Sequence, residues 1–238
     1  MQDAGRSWLL PFAVRGAAAS ETIADNEDAQ SAEGQKQSDS LLARLPEAVA
    51  LVDRIFGTQA QAVTSTQAQA LGTAQVAALI ASQVTNMTTD QLVNLTTASV
   101  ASLTTDHIVA LSTAQVPNLT STQVGALSSS QLRAMEVADF AKVSTAALSS
   151  ITTAALSGLT TAQMVALSTD QAPVITATQM AAISTANLAV METADFAKLT
   201  TDAIVALTTT QAAAITNTQM PAMTTDQLVK MQTSDFAA

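Results

Sequence analysis

The chain of 238 residues contains no cysteine or tyrosine, one tryptophan and one histidine. Without cysteine it can form neither a disulfide nor a thiolate metal site. The single histidine, His107, has no second histidine to join it in a zinc site. No apolar run is long enough to span a bilayer. These absences exclude several kinds of site, but they are compatible with any cellular compartment.

Basic residues are also few, at 9 Lys and Arg against 19 Asp and Glu, for a formal net charge of −10. From residue 71 onward the basic residues are Arg133, Lys142, Lys198 and Lys230. Nucleic-acid binding requires Lys and Arg to neutralise phosphates. The composition therefore predicts no nucleic-acid partner.

The chain has, in place of these groups, a strict repeat. Residues 71–238 form 21 octapeptides without insertion or deletion, with the consensus Leu-Thr-Thr-x-Gln-Val-x-Ala. We call each copy an octad and number its positions 1 to 8. Position 1 is large and apolar in all 21 octads, position 6 in 19, position 2 is Ser or Thr in 16, and position 5 is Gln in 12. A period this short predicts a repeat architecture.

Each octad contains the signal for the start of a helix. In octad 87–94, Thr88 and Gln91 have the capping-box spacing, in which the hydroxyl and the amide each bind an unpaired backbone N–H. Met87 then precedes the N-cap and Leu92 is the fourth helical residue, the two apolar positions that contact each other in a hydrophobic staple. Helices this short are unstable alone. The sequence therefore predicts an all-α solenoid of very short capped helices, one per octapeptide, stacked into an elongated superhelix with two or three octads per coil.

A β-solenoid is the alternative, because Thr and Val favour strands. Two observations count against it. Positions 1 and 6 differ by an odd number, so a strand would bury one and expose the other. The array also has almost none of the Gly, Asn-Gly or Asp-Gly turns that a tight β-coil requires.

A longer period is superimposed on the octads. Octads 135–142, 191–198 and 231–238 share Asp-Phe at positions 5 and 6. Their spacing indicates duplicated blocks at about 87–142, 143–198 and 199–238. The phenylalanine is predicted to fill a wider part of the core, or alternatively to form a binding feature.

The first residues have a different composition. Residues 1–40 are polar and acidic, which predicts a disordered leader; a secretory signal around residues 8–14 is the less favoured interpretation. Residues 41–57 have an apolar stripe, a Pro near the start and a Gly at the end, which predicts an N-terminal capping helix. The solenoid is predicted for residues 58–238.

The side chains that could carry chemistry have simpler interpretations. His107 occupies position 5 and is predicted to replace the capping Gln. No base accompanies the Ser and Thr hydroxyls. The Asp residues at position 4 are too sparse for the six to eight oxygens of a calcium site. They are Asp90, Asp106, Asp170, Asp202 and Asp226. We therefore predict no enzyme, and no catalytic, cofactor-binding or metal-binding residue.

The Leu-[Thr/Ser]-Thr-x-Gln-[Val/Leu/Ile] octads of residues 71–238 resemble those of very long, Thr/Ala/Gln-rich bacterial surface or secreted proteins described as adhesion- or haem-utilisation-like. The resemblance implies a structural or adhesive role outside the cell or at its surface. The implied partners are other proteins or cell-surface components, with end-to-end self-association as a further possibility. The alternative is a cytoplasmic protein-binding scaffold or effector.

Residues 103–112 also resemble the first helix of transcription-activator-like effector repeats. The long repeat, variable pair and basic face of that family are missing.

Overall fold

The structure is a computed structural model that describes residues 62–231, together with Lys36. The predicted leader (1–40) and capping helix (41–57) lie outside the described residues, Lys36 apart. Residues 62–231 belong to one compact unit, Asp53–Ala238. This range holds most of the octads.

Residues 62–231 form one short helix after another, with no strand among them. The α-helices are Ser65–Gln69, Thr73–Ala77, Ala81–Asn86, Thr89–Asn94, Thr97–Ala101, Thr105–Val109, Ser121–Gly125, Ser129–Ala134, Val137–Phe140, Thr145–Leu148, Thr153–Leu156, Thr161–Val165, Ala177–Ala182, Thr185–Val190, Thr193–Phe196, Thr201–Val205, Thr209–Ala212 and Thr225–Lys230. Three further turns are 3-10 helices: Val116–Asn118, Ala172–Val174 and Met220–Ala222. The all-α prediction is confirmed, and the β-solenoid alternative is wrong for this part of the chain.

From residue 73 onward, each described α-helix begins at position 3 of its octad, the residue after the predicted N-cap. Thr88 has extended backbone angles, φ −70° and ψ 157°, and precedes the helix Thr89–Asn94. Its hydroxyl accepts the Gln91 N–H at 3.2 Å, and Gln91 Oε1 accepts the Thr88 N–H at 2.8 Å. Two of the unpaired N–H groups at the helix start are thereby satisfied.

Proline explains the three octads that hold a 3-10 turn, which the octad pattern did not predict. Pro117, Pro173 and Pro221 each stand at position 7, the second residue of the turn. Proline has no N–H for the α-helical bond to the residue four before it. The tighter bond three residues back remains, as from Asn118 N–H to the Gln115 carbonyl at 3.0 Å.

The core is built from positions 1 and 6, as predicted. Met87 and Leu92 of octad 87–94 are both buried, and the same two positions recur in the core along the array. Phe140 and Phe196 are fully buried. The two Asp-Phe octads that the structure describes thus place their rings in the core, in agreement with the first of the two interpretations.

One coil consists of three octads, since each helix packs on helices 24 residues before and after it. The helix Thr97–Ala101, for example, packs on Thr73–Ala77 and on Ser121–Gly125. A block of seven octads is not a multiple of three. Phe140 and Phe196, one block apart, therefore lie on different faces of the coil stack.

Candidate functional site: the buried position-5 side chains

The position-5 side chains form a polar network that joins each coil to the one before it. Gln123 Oε1 accepts the N–H of its own N-cap, Thr120, at 3.0 Å. Its Nε2 donates to the carbonyl oxygens of Leu92 and Leu95, both at 2.9 Å. The Leu95 carbonyl directly follows the helix Thr89–Asn94 of the preceding coil, and the Leu92 carbonyl lies in the last turn of that helix, where it also accepts the Leu95 N–H at 3.2 Å. One amide therefore caps the start of its own helix and the end of another.

The arrangement repeats with a constant separation of 28 residues between the donor and a position-1 carbonyl. The distances range from 2.7 to 2.9 Å, and each donor is buried. The pairs are Gln115 with Met87, Gln123 with Leu95, Gln131 with Leu103, Gln163 with Met135, Gln171 with Val143, Gln179 with Ile151, Gln211 with Ile183, Gln219 with Met191 and Gln227 with Leu199. Gln91 similarly donates to the Val63 carbonyl.

Sequence reasoning found the cap but missed the bond between coils. A signal was present, because a capping box accepts Glu or Gln equally. No octad has Glu at position 5. Glutamate can accept the N-cap N–H but carries no N–H to donate. The preference for Gln thus indicated a second bond that needs a donor.

Three other residue types take the place of Gln and keep the bond between coils. Ser99 Oγ donates to the Leu71 carbonyl at 2.8 Å, and Asn187 Nδ2 donates to the Leu159 carbonyl at 2.9 Å. His107 Nδ1 accepts the Thr104 N–H at 3.2 Å, and its Nε2 lies 2.7 Å from the Leu79 carbonyl oxygen. Since a carbonyl can only accept, the ring proton is on Nε2. The prediction that His107 replaces Gln is confirmed.

His107→Gln is expected to leave the free energy of unfolding within about 0.5 kcal/mol of the native value, because Gln makes the same two bonds. His107→Leu is expected to lower it by about 2 kcal/mol, because the Thr104 N–H and the Leu79 carbonyl lose their partner. Equilibrium urea unfolding of the two variants measures the difference. Equal losses in both would show that the imidazole has a role beyond these bonds.

Five described octads lack a position-5 donor. Ala147, Ala155 and Ala203 have no polar side chain, whereas Asp139 and Asp195 are 1 % exposed. The Oδ2 atom of each aspartate is buried and has no hydrogen-bond partner. Burial raises the pKa of the Asp139 carboxyl, and the Glu136 carboxylate raises it further. The pKa of Asp195 is raised in the same way by burial and by Glu192.

Three of these octads follow one another and make a complete coil, residues 135–158. We call the boundary between this coil and coil 111–134 the first seam, since no position-5 side chain crosses it. Gly158 lies against Ser129 here, so closely that a Cβ on the glycine would be 1.9 Å from the Ser129 carbonyl oxygen. On the other side of the coil is a cavity of about 20 Å³, lined in part by Phe140, Leu148 and Leu156. Coil 135–158 thus lies close to its predecessor at Gly158, and a small cavity lies between it and its successor.

The exposed side chains of the described residues form less regular arrangements than the buried position-5 side chains. Four of the position-4 Asp residues lie in the first turns of their helices: Asp90, Asp106, Asp202 and Asp226. The helices of Asp202 and Asp226 pack on each other. Among the described residues, no three His, Cys, Asp or Glu side chains come together as metal ligands. No described helix has the length and apolarity needed to cross a membrane. A groove of about 370 Å³ is lined by Thr105, Ser129, Ser130, Arg133, Ala134 and Ser157.

Comparison with known proteins identifies the repeat. The sequence profile of the ALTTAQ repeat matches residues 84–121, 100–137, 132–169 and 188–225, which together make up more than half of the chain. No curated protein and no solved structure matches the chain. The octads whose helices, caps and amide bonds are described above are the repeats that this profile recognises. The chain belongs to the ALTTAQ repeat family.

Proposed function

We propose that this chain is a non-enzymatic structural or adhesive module of a larger bacterial surface or secreted protein. One observation carries the proposal: the bond from position 5 to a carbonyl 28 residues earlier recurs from coil to coil. A unit that binds only its neighbours can be extended by whole coils without a change in its local contacts. Such construction suits a spacer or a repeated display surface.

The state of the polar side chains supports a role without catalysis. Both ring nitrogens of His107 are engaged by backbone groups. Most position-2 hydroxyls accept the N–H three residues on, as Thr120 does from Gln123 at 3.2 Å. Groups occupied by structure in this way are poorly placed to act as a base or a nucleophile.

The position-3 side chains of stacked octads supply the surface that a partner would meet. Thr97, Ser121 and Thr145 follow one another on one face at intervals of 24 residues. We propose that other proteins or cell-surface components bind such rows of hydroxyls. Placement at the cell surface rests on the resemblance of the octads to those of bacterial surface proteins.

Removal of one coil, residues 159–182, is expected to give a chain that folds cooperatively. Asn187 would then face the Met135 carbonyl, which Gln163 binds in the native chain at 2.7 Å. Circular dichroism should show an unchanged helical signal per residue, and small-angle scattering should show a maximum dimension shortened by one coil.

Deletion of four residues, 159–162, is the matched control. It moves every later octad out of step with the carbonyls of the coil below, and the chain is expected to lose cooperative unfolding. Equal behaviour of the two deletions would contradict a modular stack.

Adhesion is tested with beads coated with the intact chain. Beads that fail to adhere to host cells or matrix would contradict the adhesive function and leave a spacer as the function.

A protein-binding scaffold inside the cell is the alternative function, and the groove at Arg133 favours it. Arg133 is the only arginine among the described residues, and it stands among the hydroxyls of Thr105, Ser129 and Ser130. A guanidinium beside hydroxyls suits a carboxylate of a partner. A cytosolic partner captured by the native chain and lost with Arg133→Ala would support this alternative over the surface module.

A further inference from the structure

Asp139 and Asp195, the two aspartates of the Asp-Phe octads that the structure describes, occupy places where a donor is expected. The octad register sets the Leu111 carbonyl opposite Asp139, as it sets the Leu95 carbonyl opposite Gln123. It sets the Leu167 carbonyl opposite Asp195 in the same way. An ionised carboxylate can only accept hydrogen bonds. Each aspartate therefore brings acceptor oxygens toward an acceptor, and its Oδ2 has no partner.

Side-chain length is not what prevents the bond. Asn187, which has the same length as Asp, occupies position 5 and reaches the Leu159 carbonyl at 2.9 Å. Asparagine differs from ionised aspartate by the N–H groups that it can donate. A protonated aspartate carries an O–H in their place. The chain thus contains its own example of the contact that Asp139 and Asp195 would make when neutral.

Asp139 and Asp195 each lie at a boundary between coils where the next octad also lacks a position-5 donor. Asp139 is at the first seam, where Ala147 and Ala155 also supply no donor. Asp195 precedes Ala203, so two consecutive octads, 191–206, make no position-5 bond to octads 167–182. We call that boundary the second seam. At position 5, each seam therefore has one titratable side chain and no other group that could bind across it.

Few other charges surround these carboxyls. Asp139 shares its octad with Glu136 and Lys142, both exposed, and follows the octad of Arg133; the stacked octads 111–118 and 159–166 have no charged residue.

Asp195 shares its octad with Glu192 and Lys198, both exposed. Asp202 lies in the next octad and Asp170 in the stacked octad 167–174, while octad 215–222 is uncharged. None of these groups donates a hydrogen bond to either Oδ2 atom.

We propose that the two seams are proton-sensitive joints between coils, in which neutral Asp139 and Asp195 donate Oδ2–H to the carbonyls of Leu111 and Leu167. Proton uptake adds a bond across each seam and removes a buried charge. At neutral pH the joints are the weakest boundaries of the stack, where coils separate or slide first. In acid they close with the bond that Gln supplies elsewhere.

The direction of the pH effect follows from the raised pKa of each carboxyl. A group that binds protons more tightly in the folded chain stabilises the fold fully below its unfolded value of 3.8, and this stabilisation is lost as the pH rises through the higher folded pKa. The double variant Asp139→Asn with Asp195→Asn has the donor at every pH. It should therefore unfold a few degrees higher than the native chain at pH 7, and this gap should close as the pH falls toward 4.

The matched control is the double variant Asp106→Asn with Asp202→Asn, which removes two exposed carboxylates from first helical turns. These groups interact favourably with the helix dipole, so the control should unfold at the same temperature as the native chain at pH 7 or lower. Thermal unfolding of the three proteins between pH 4 and 7.5 decides the matter. The proposal would be overturned if the variant Asp139→Asn with Asp195→Asn unfolded at the same temperature as the native chain, or if the difference in unfolding temperature were the same at every pH. So would a carbon-13 titration in which both carboxyls titrate at their ordinary value.

Discussion

Gly158→Ala should destabilise the array more than any other single methyl addition at a described glycine. The new Cβ would lie 1.9 Å from the carbonyl oxygen and 2.6 Å from the carbonyl carbon of Ser129. Both atoms are backbone, so no side-chain rotation relieves the overlap, and the first seam must widen. Overpacking of a well-packed interior costs about 1–3 kcal/mol and sometimes more, and we expect the upper end of that range.

The three described glycines provide a graded series for this test. A Cβ at Gly125 would be 2.9 Å from the Ser150 carbonyl oxygen, across the same seam, whereas one at Gly72 would be 3.6 Å from Gln75 Oε1. The loss of unfolding free energy should therefore decrease from Gly158→Ala through Gly125→Ala to a near-neutral Gly72→Ala. Urea unfolding of the three variants measures the order. A Gly158→Ala protein as stable as Gly72→Ala would show that the coils at the first seam are farther apart.

The position of these glycines explains why the seam could not be predicted from sequence. None of the three has a left-handed backbone, so Gly158 is required by its close approach to Ser129 and not by its own backbone angles. Ser129 belongs to octad 127–134 and Gly158 to octad 151–158, so the contact depends on how these two octads stack. No pattern within one octad records that contact.

The local features were predictable because they depend on neighbours within one octad. The Thr88 cap, its Gln91 partner and the burial of Met87 and Leu92 all follow from spacings of five residues or fewer. The number of octads per coil was not predictable, because coils of two and of three octads both satisfy those spacings. It is fixed by packing and by bonds that reach back 28 residues. The Pro117 turn was accessible from sequence, because proline at position 7 removes a helical N–H.

The bond between coils also predicts the effect of removing an amide. Gln123→Leu should lower the free energy of unfolding by about 3 kcal/mol or more, since burying an unpaired polar group costs about 1–3 kcal/mol. The variant leaves the Thr120 N–H and the carbonyls of Leu92 and Leu95 without the partner that Gln123 provides. Leucine is similar in size to Gln, so the loss would arise from hydrogen bonds more than from a cavity.

Gln75→Leu is the control that separates the cap from the bond between coils. Gln75 Oε1 accepts the N–H of its N-cap, Gly72, at 2.9 Å, but the side chain is exposed. Its removal should cost about 1 kcal/mol, the net contribution of one hydrogen bond. Hydrogen exchange should accelerate at the Gly72 amide alone in this variant, whereas Gln123→Leu should accelerate it at Thr120 and across the helix Thr89–Asn94, whose end Gln123 caps. Similar losses in the two variants would mean that the amides act only within their own octads. The stacking would then depend on the apolar side chains at positions 1 and 6.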